Sequence, residues 1–122
     1  RFYERRDVTL FDESLKGAER ERARADGNRR KEATVAFFAS LEDRPPQEVA
    51  AELQRRLPGG VALPPVARCF HAGDGTLLEL EDQWFELRAS GTDALLRFYM
   101  EGEDAGRVTS LNQAFAHLDI SH

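Results

Sequence analysis

The sequence predicts an α+β domain in which helices pack on an antiparallel sheet of about four strands. Apolar residues recur at helical spacing in the first half of the chain and alternate with polar residues from Val66 onward. Short turn sequences separate the alternating segments, and helical spacing returns near the C-terminus. Strands that are clustered together, with helices before and after them, favour this fold class.

The first thirty residues resemble a connecting segment more than a folded unit. Residues 1–12 mix aromatic and charged side chains and suit an extended arm, whereas residues 13–32 are almost entirely polar, which indicates a solvated linker or helix face. The Asp-Gly-Asn sequence at 26–28 predicts a helix break. We therefore predict an interdomain arm over residues 1–30, less ordered than the rest, and a domain over residues 31–122.

Two helices are predicted before the strands. Apolar residues in 32–43 have helical spacing, and Pro45-Pro46 should end that helix and begin the next. In the second helix Val49, Leu53 and Leu57 share one face, and one of the glycines at 59–60 should form its C-terminal cap.

The remaining elements follow from the change of period. Turn sequences at 73–75 and 82–83 separate alternating segments. We predict strands over residues 66–72, 76–81, 84–88 and 94–101. The closing segment 104–118 is predicted as a helix whose apolar stripe faces the sheet, formed by Val108, Leu111, Phe115 and Leu118.

Composition limits the classes of partner. The chain has 122 residues with 17 basic and 22 acidic side chains, a net charge of −5 that argues against broad nucleic-acid binding. We expect no membrane span, since no long apolar run is present, and a cytoplasmic location fits the single cysteine, which excludes an internal disulfide. The sole methionine is Met100, so we expect a piece of a longer protein, a processed chain being the alternative.

The candidate binding site is the sequence Arg-Ala-Ser-Gly-Thr at 88–92, followed by Arg97. A phosphate needs several donors in a small volume, and backbone N–H groups of a tight turn can converge on an anion. Glycine permits close approach, hydroxyls add donors, and arginine adds a fork that matches phosphate oxygens. From the residues alone, a phosphate-binding loop and a plain turn both remain open.

The segment LRASGTDALLRFYMEG resembles the C-terminal phosphate-binding loop of the α-D-phosphohexomutase superfamily, the phosphoglucomutases and phosphomannomutases. The resemblance extends over about residues 66–118, and the opening segment is similar to the crossing from the third to the fourth domain of these enzymes. Three positions depart from the family pattern: Ala89 and Ala94 stand in place of prolines, and Asp93 in place of glutamate. The positions that match the pattern are Arg88, Ser90, Gly91, Thr92, Arg97, Tyr99 and Glu101.

The resemblance implies a fourth domain that grips the phosphate not being transferred during intramolecular phosphoryl transfer. Its implied phosphate-binding residues are Arg88, Ser90, Gly91, Thr92 and Arg97. The phosphoserine, the Mg²⁺ site and the sugar-reading loop of such enzymes belong to the other three domains. The resemblance thus implies no catalytic residue and no cofactor in this chain, Mg²⁺ for the whole enzyme, and a phosphosugar and three further domains as partners. We expect no mutase activity from the chain alone.

Other residues have simpler interpretations. Cys69 is predicted to be a small core residue, and His71 a surface or packed histidine. Trp84 and Tyr99 are predicted to pack in the core or at a domain interface. The alternative function is a non-catalytic α+β interaction module in which the Ser-Gly-Thr loop is only a structural turn.

Overall fold

A computed structural model describes residues 1–121 of the 122 and has the α+β architecture predicted, with a five-stranded antiparallel sheet in the order β1-β5-β4-β3-β2. The strands are β1 (Phe2–Thr9), β2 (Val66–Ala72), β3 (Gly75–Leu80), β4 (Gln83–Ala89) and β5 (Leu95–Gly102). The helices are α1 (Gly17–Ala39), α2 (Pro46–Arg56) and α3 (Ala105–Ala116).

The fifth strand comes from the segment predicted as an extended arm. Strand β1 pairs antiparallel with β5 along its whole length, from Phe2 opposite Gly102 to Thr9 opposite Leu95. Glu4, Arg6 and Val8 are its half-buried positions and lie on the helix side, while the residues between them are exposed. The arm is therefore also an edge strand of the sheet. That it connects to another domain stays a prediction.

Helix α1 continues through residues 26–28, so the predicted helix break there is wrong. The reason is a tertiary contact at Gly27, where a Cβ atom would lie 2.9 Å from Leu10 O and 3.1 Å from Ala94 Cβ. Glycine costs about 1 kcal/mol in a helix interior relative to alanine. The close packing that its missing side chain permits outweighs this cost. Residue 31, the predicted start of the domain, lies inside this helix.

The ends of the helices differ from the predictions in detail. Helix α1 ends at Ala39, before the two prolines, and α2 begins at Pro46 as predicted. The predicted glycine cap of α2 is wrong, because Leu57 in an extended conformation caps the helix. Pro58 follows directly, and a proline disfavours the helical conformation for the residue before it, so the helix ends there.

All three helices pack on one face of the sheet around a single core. Phe85 of β4 stacks on Phe115 of α3 with ring centroids 4.4 Å apart, and Phe38 of α1 lies 5.6 Å from Phe85. The strictly alternating burial of β3 and β5 agrees with one covered face and one uncovered face. We call the uncovered side the open face. Its side chains come from alternate positions of the strands and include Tyr3, Arg5, Asp7, Leu77, Glu79, Trp84, Glu86, Arg88, Arg97, Tyr99 and Glu101.

Candidate functional site

The two arginines of the predicted site are direct cross-strand neighbours. Arg88 of β4 is paired with Arg97 of β5, and both side chains lie on the open face beside the β4–β5 loop. Residues directly opposite each other have Cβ atoms about 5 Å apart, and like charges in such pairs are destabilising. The Nε atom of each arginine is buried and has no hydrogen-bond partner within residues 1–121. The pair therefore carries a repulsion between like charges that an anion would relieve.

The Arg88 side chain runs across the β2–β3 turn. Its Nη2 atom lies 3.1 Å from the place that a Cβ atom on Gly73 would occupy, and its Cγ atom 3.0 Å from that of Gly75. These glycines were predicted only as a turn. Because they have no side chain, they also provide the space that the Arg88 side chain occupies. Its Nε atom is 3.2 Å from Glu86 Oε2, close enough for ionic attraction although the N–H is not aimed at that oxygen.

Arg97 has an acidic neighbour of its own. It is paired with Asp7 of β1, whose carboxylate accepts hydrogen bonds from Arg5 at 3.0 Å. The hydrogen bond from Arg5 holds the pKa of the Asp7 carboxyl below its usual value, and the charge of Arg97 adds to this effect. Both arginines thus lie beside a carboxylate, and a phosphate bound here would compete with Glu86 and Asp7 for them.

The β4–β5 loop is organised by the side chain of Ser90. This residue is only 6% exposed, and its Oγ atom accepts hydrogen bonds from Thr92 N at 3.3 Å and Asp93 N at 3.1 Å. Two loop N–H groups are therefore turned inward. The N–H of Gly91 has no partner in the part of the chain that the structure describes, and Gly91 and Thr92 are both exposed. The donors left for a ligand at the loop are the Gly91 N–H and the Thr92 hydroxyl.

Lys31 of α1 also contacts the loop, and sequence analysis missed it. Its Nζ atom donates to Ser90 O at 2.9 Å and to Asp93 O at 2.7 Å. The contact joins residues about sixty positions apart, so no local pattern marks it. The one signal in the sequence is that Gly27 and Lys31 are four residues apart and so share a face of a helix.

The structure also shows the burial of the other side chains that the sequence analysis singled out. Cys69 is confirmed as a core residue at 2% exposure, and burial raises the pKa of its thiol to about 12. Trp84 and Tyr99 lie half-buried on the open face and not in the core, with Trp84 Nε1 donating to Glu101 Oε1 at 2.9 Å. His71 is exposed and lies 3.4 Å from Glu42.

A shallow depression of about 600 Å³ lies on the open face at the opposite end of β4 from the loop. It contains Trp84 and one cation, Arg1, but its polar lining is mainly acidic, so it would repel a phosphate. Its carboxylates come from Glu79, Glu81, Asp82 and Glu103. Among the residues described, no helix is both long and apolar enough to cross a membrane.

The chain is a small α+β domain whose sheet is covered by helices on one side. Paired arginines and a Ser-Gly-Thr loop lie at one end of the open face. The family comparison agrees with this description. Residues 16–118 match the family described as phosphoglucomutase/phosphomannomutase, C-terminal domain, and the chain belongs to that family. The resemblance seen in the sequence is thereby confirmed, and the match takes in the whole of α1. No curated protein sequence matches the chain.

Proposed function

We propose that this chain binds the non-transferred phosphate of a phosphosugar during intramolecular phosphoryl transfer by a phosphohexomutase. The binding residues in this proposal are Arg88, Ser90, Gly91, Thr92 and Arg97. The observation that carries it is the direct pairing of Arg88 with Arg97 next to an exposed loop N–H. Family membership supports the same assignment.

The donors have distinct roles. The two guanidinium groups provide charge and paired N–H donors that match phosphate oxygens. The Gly91 N–H and the Thr92 hydroxyl complete the donor set at the loop, while Ser90 supports it by holding the loop closed. Binding at a phosphate remote from the reacting one would orient the sugar and so contribute to the rate of transfer.

In this proposal, the other three domains of the enzyme carry out the phosphoryl transfer. The phosphoserine, the sugar-reading loop and the Mg²⁺ ion would lie in the other three domains, in a cytoplasmic enzyme. Residues 1–121 contain no group of three histidine, cysteine or acidic side chains that could hold a metal ion. The proposal gives the side chains of this stretch no step that uses Mg²⁺.

The test is a titration of the chain with inorganic phosphate, followed through the backbone amide signals in NMR spectra. We expect the signals of Gly91 and Thr92 to shift, and Arg88→Gln to weaken binding about tenfold, since a charge-assisted hydrogen bond contributes about 1.5–3 kcal/mol and exposure reduces this. Arg68→Gln is the matched control, because Arg68 lies on β2 and is paired with Glu79 at 3.0 Å. Equal weakening by both variants would refute a specific site.

The alternative, a non-catalytic interaction module, is favoured by one observation. The Ser90 hydroxyl is engaged inside the loop, as in a purely structural turn. In that case phosphate would leave the loop signals unchanged in wild type. A response at the loop that Arg88→Gln removes would exclude this alternative.

In the whole enzyme, Arg88→Ala should raise KM and lower kcat. Loss of one bidentate cation in a desolvated site costs about 2–4 kcal/mol, or roughly 30- to 1000-fold in kcat/KM. Arg97→Ala should cost less, because the family resemblance implies that Arg88, the arginine that opens the loop, is the leading phosphate contact. Unchanged kinetics in a folded Arg88→Ala enzyme would contradict the proposed role.

A further inference from the structure

Lys31 links helix α1 to both ends of the loop segment 90–93. Its ammonium group donates to the carbonyl oxygens of Ser90 and Asp93, at 2.9 and 2.7 Å. We propose that Lys31 is a positioning residue that fixes the direction in which the Gly91 N–H points. The proposal rests on the proposed function, because it assigns the loop's donors to a phosphate.

Peptide geometry connects the carbonyls to the donors. In a trans peptide the C=O and the N–H of the next residue point in opposite directions, and residues 1–121 contain no cis peptide bond. Because Lys31 draws Ser90 O toward α1, the N–H of Gly91 points away from α1, to the exposed side of the loop. If this carbonyl turned outward, its oxygen would face the phosphate and repel it.

Helix α1 can hold the loop because it approaches so closely. At Gly27, one turn before Lys31, a Cβ atom would lie 3.1 Å from Ala94 Cβ. Ala94 in turn accepts a hydrogen bond at its carbonyl from Leu10 N at 2.9 Å. The loop contains no proline, so its restraint must come from such contacts. Gly27 allows the short distance between α1 and the loop, and Lys31 makes the polar contact between them.

Lys31 is better suited to positioning than to direct binding of the anion. An ammonium group has three N–H donors, and two of them are directed to the loop carbonyls. Its contacts are with the side of the loop that faces α1. Its charge is also partly offset by the two carbonyl dipoles. Its effect on phosphate binding should therefore depend on loop geometry more than on charge.

The test compares Lys31→Met, which keeps the length of the side chain but cannot donate, with Lys31→Arg, which can still donate to both carbonyls. Arg30→Met is the charge control, since Arg30 is an exposed neighbour on the same helix and, within residues 1–121, its side chain makes no hydrogen bond or ion pair with the loop. For each variant we would measure the thermal midpoint, the ¹⁵N order parameters of Gly91 to Asp93 without ligand, and the Kd for inorganic phosphate.

We expect Lys31→Met to lower the loop order parameters from about 0.85 toward 0.6 or below. If the competent loop is populated about one tenth of the time, the Kd for phosphate rises about tenfold. Lys31→Arg should restore most of both values, and Arg30→Met should change neither. An unchanged loop in Lys31→Met, or an equal rise in Kd in Arg30→Met, would overturn the proposal.

Failure of the proposed function gives a different result. If wild type does not respond to phosphate, the phosphate assignment fails, whatever the variants do. The order parameters need no ligand, so they still decide whether Lys31 fixes the loop. Loss of order in Lys31→Met with recovery in Lys31→Arg would support the positioning role even then.

Discussion

Gly27→Ala provides a test in which two physical effects have opposite signs. In a solvent-exposed helix interior, replacing glycine by alanine stabilises the fold by about 1 kcal/mol. Here the added Cβ would lie 2.9 Å from Leu10 O, 3.2 Å from Leu10 C and 3.1 Å from Ala94 Cβ. Two of these three atoms belong to the backbone, and Leu10 is held by its hydrogen bond to Ala94 O at 2.9 Å. The neighbours can therefore give way only by moving the arm or the helix.

Overpacking of this kind costs about 1–3 kcal/mol. The cost exceeds the gain in helix propensity, so we expect a net loss of about 1 kcal/mol and a fall in the melting temperature of about 3–6 °C. The assay is urea and thermal unfolding followed by circular dichroism.

Asn28→Ala is the control for Gly27→Ala, because it changes the next residue of the same helix and should gain a few tenths of a kcal/mol from propensity alone. If Gly27→Ala stabilised the chain as much as Asn28→Ala, the close packing of α1 on the arm and loop would be refuted.

Three further predictions concern single side chains. Cys69 should resist iodoacetamide at pH 8 in the native state and should react in denaturant. Burial raises the pKa of its thiol to about 12, so only about one molecule in ten thousand carries the thiolate at this pH. Rapid labelling of the native protein, measured by mass spectrometry, would contradict this prediction. Asp104→Ala should cost about 1 kcal/mol in chemical unfolding, because the Asp104 carboxylate caps α3 by accepting from Arg107 N at 3.1 Å, whereas Asp104→Asn should cost almost nothing. Glu86→Gln should tighten phosphate binding about two- to fivefold by removing the carboxylate 3.2 Å from Arg88 Nε; weaker binding would show that Glu86 orients the arginine instead.

The sheet was predictable wherever one face of a strand is covered by helices. Strand β2 has the predicted bounds, and in β3 the buried Leu78 and Leu80 alternate with half-buried positions as the period indicated. The buried face of α2 was also predicted correctly, at Val49 and Leu53. One-sided burial imposes a period on the sequence, and that period can be read without knowledge of the partner element.

Strand β1 and the middle of α1 were not predictable in the same way. Strand β1 is an edge strand in which a charged residue, Glu4, occupies a position on the helix side and accepts a hydrogen bond from Asn112 at 2.8 Å. Its partner strand lies more than eighty residues away in the chain, so the sequence of β1 does not specify the pairing. In α1, Gly27 indicates a break by its own propensity, and only the contact with Leu10 and Ala94 explains why the helix continues.

For the candidate site, the residue types were predictable from the sequence, but the contacts that these residues make with one another were not. The sequence indicated Arg88, Arg97 and the Ser-Gly-Thr loop, and the structure places them together. It could not indicate that Ser90 is used inside the loop, nor that Lys31 holds the loop from behind. These features depend on side-chain directions and on contacts between distant segments. Whether the site binds phosphate stays a prediction.

The open position of the arginines has a consequence for how such a site would work. Each guanidinium lies beside a carboxylate, and Arg88 has a side-chain exposure of 40%, so water screens its charge. Exposed ion pairs contribute only about 0–1 kcal/mol, which predicts weak binding of phosphate by the chain alone. The same charges interact far more strongly once water is excluded. In the proposed enzyme, closure of the other domains over this face would therefore turn a weak anion contact into binding energy, and most of that energy would arise only in the closed state that performs the transfer.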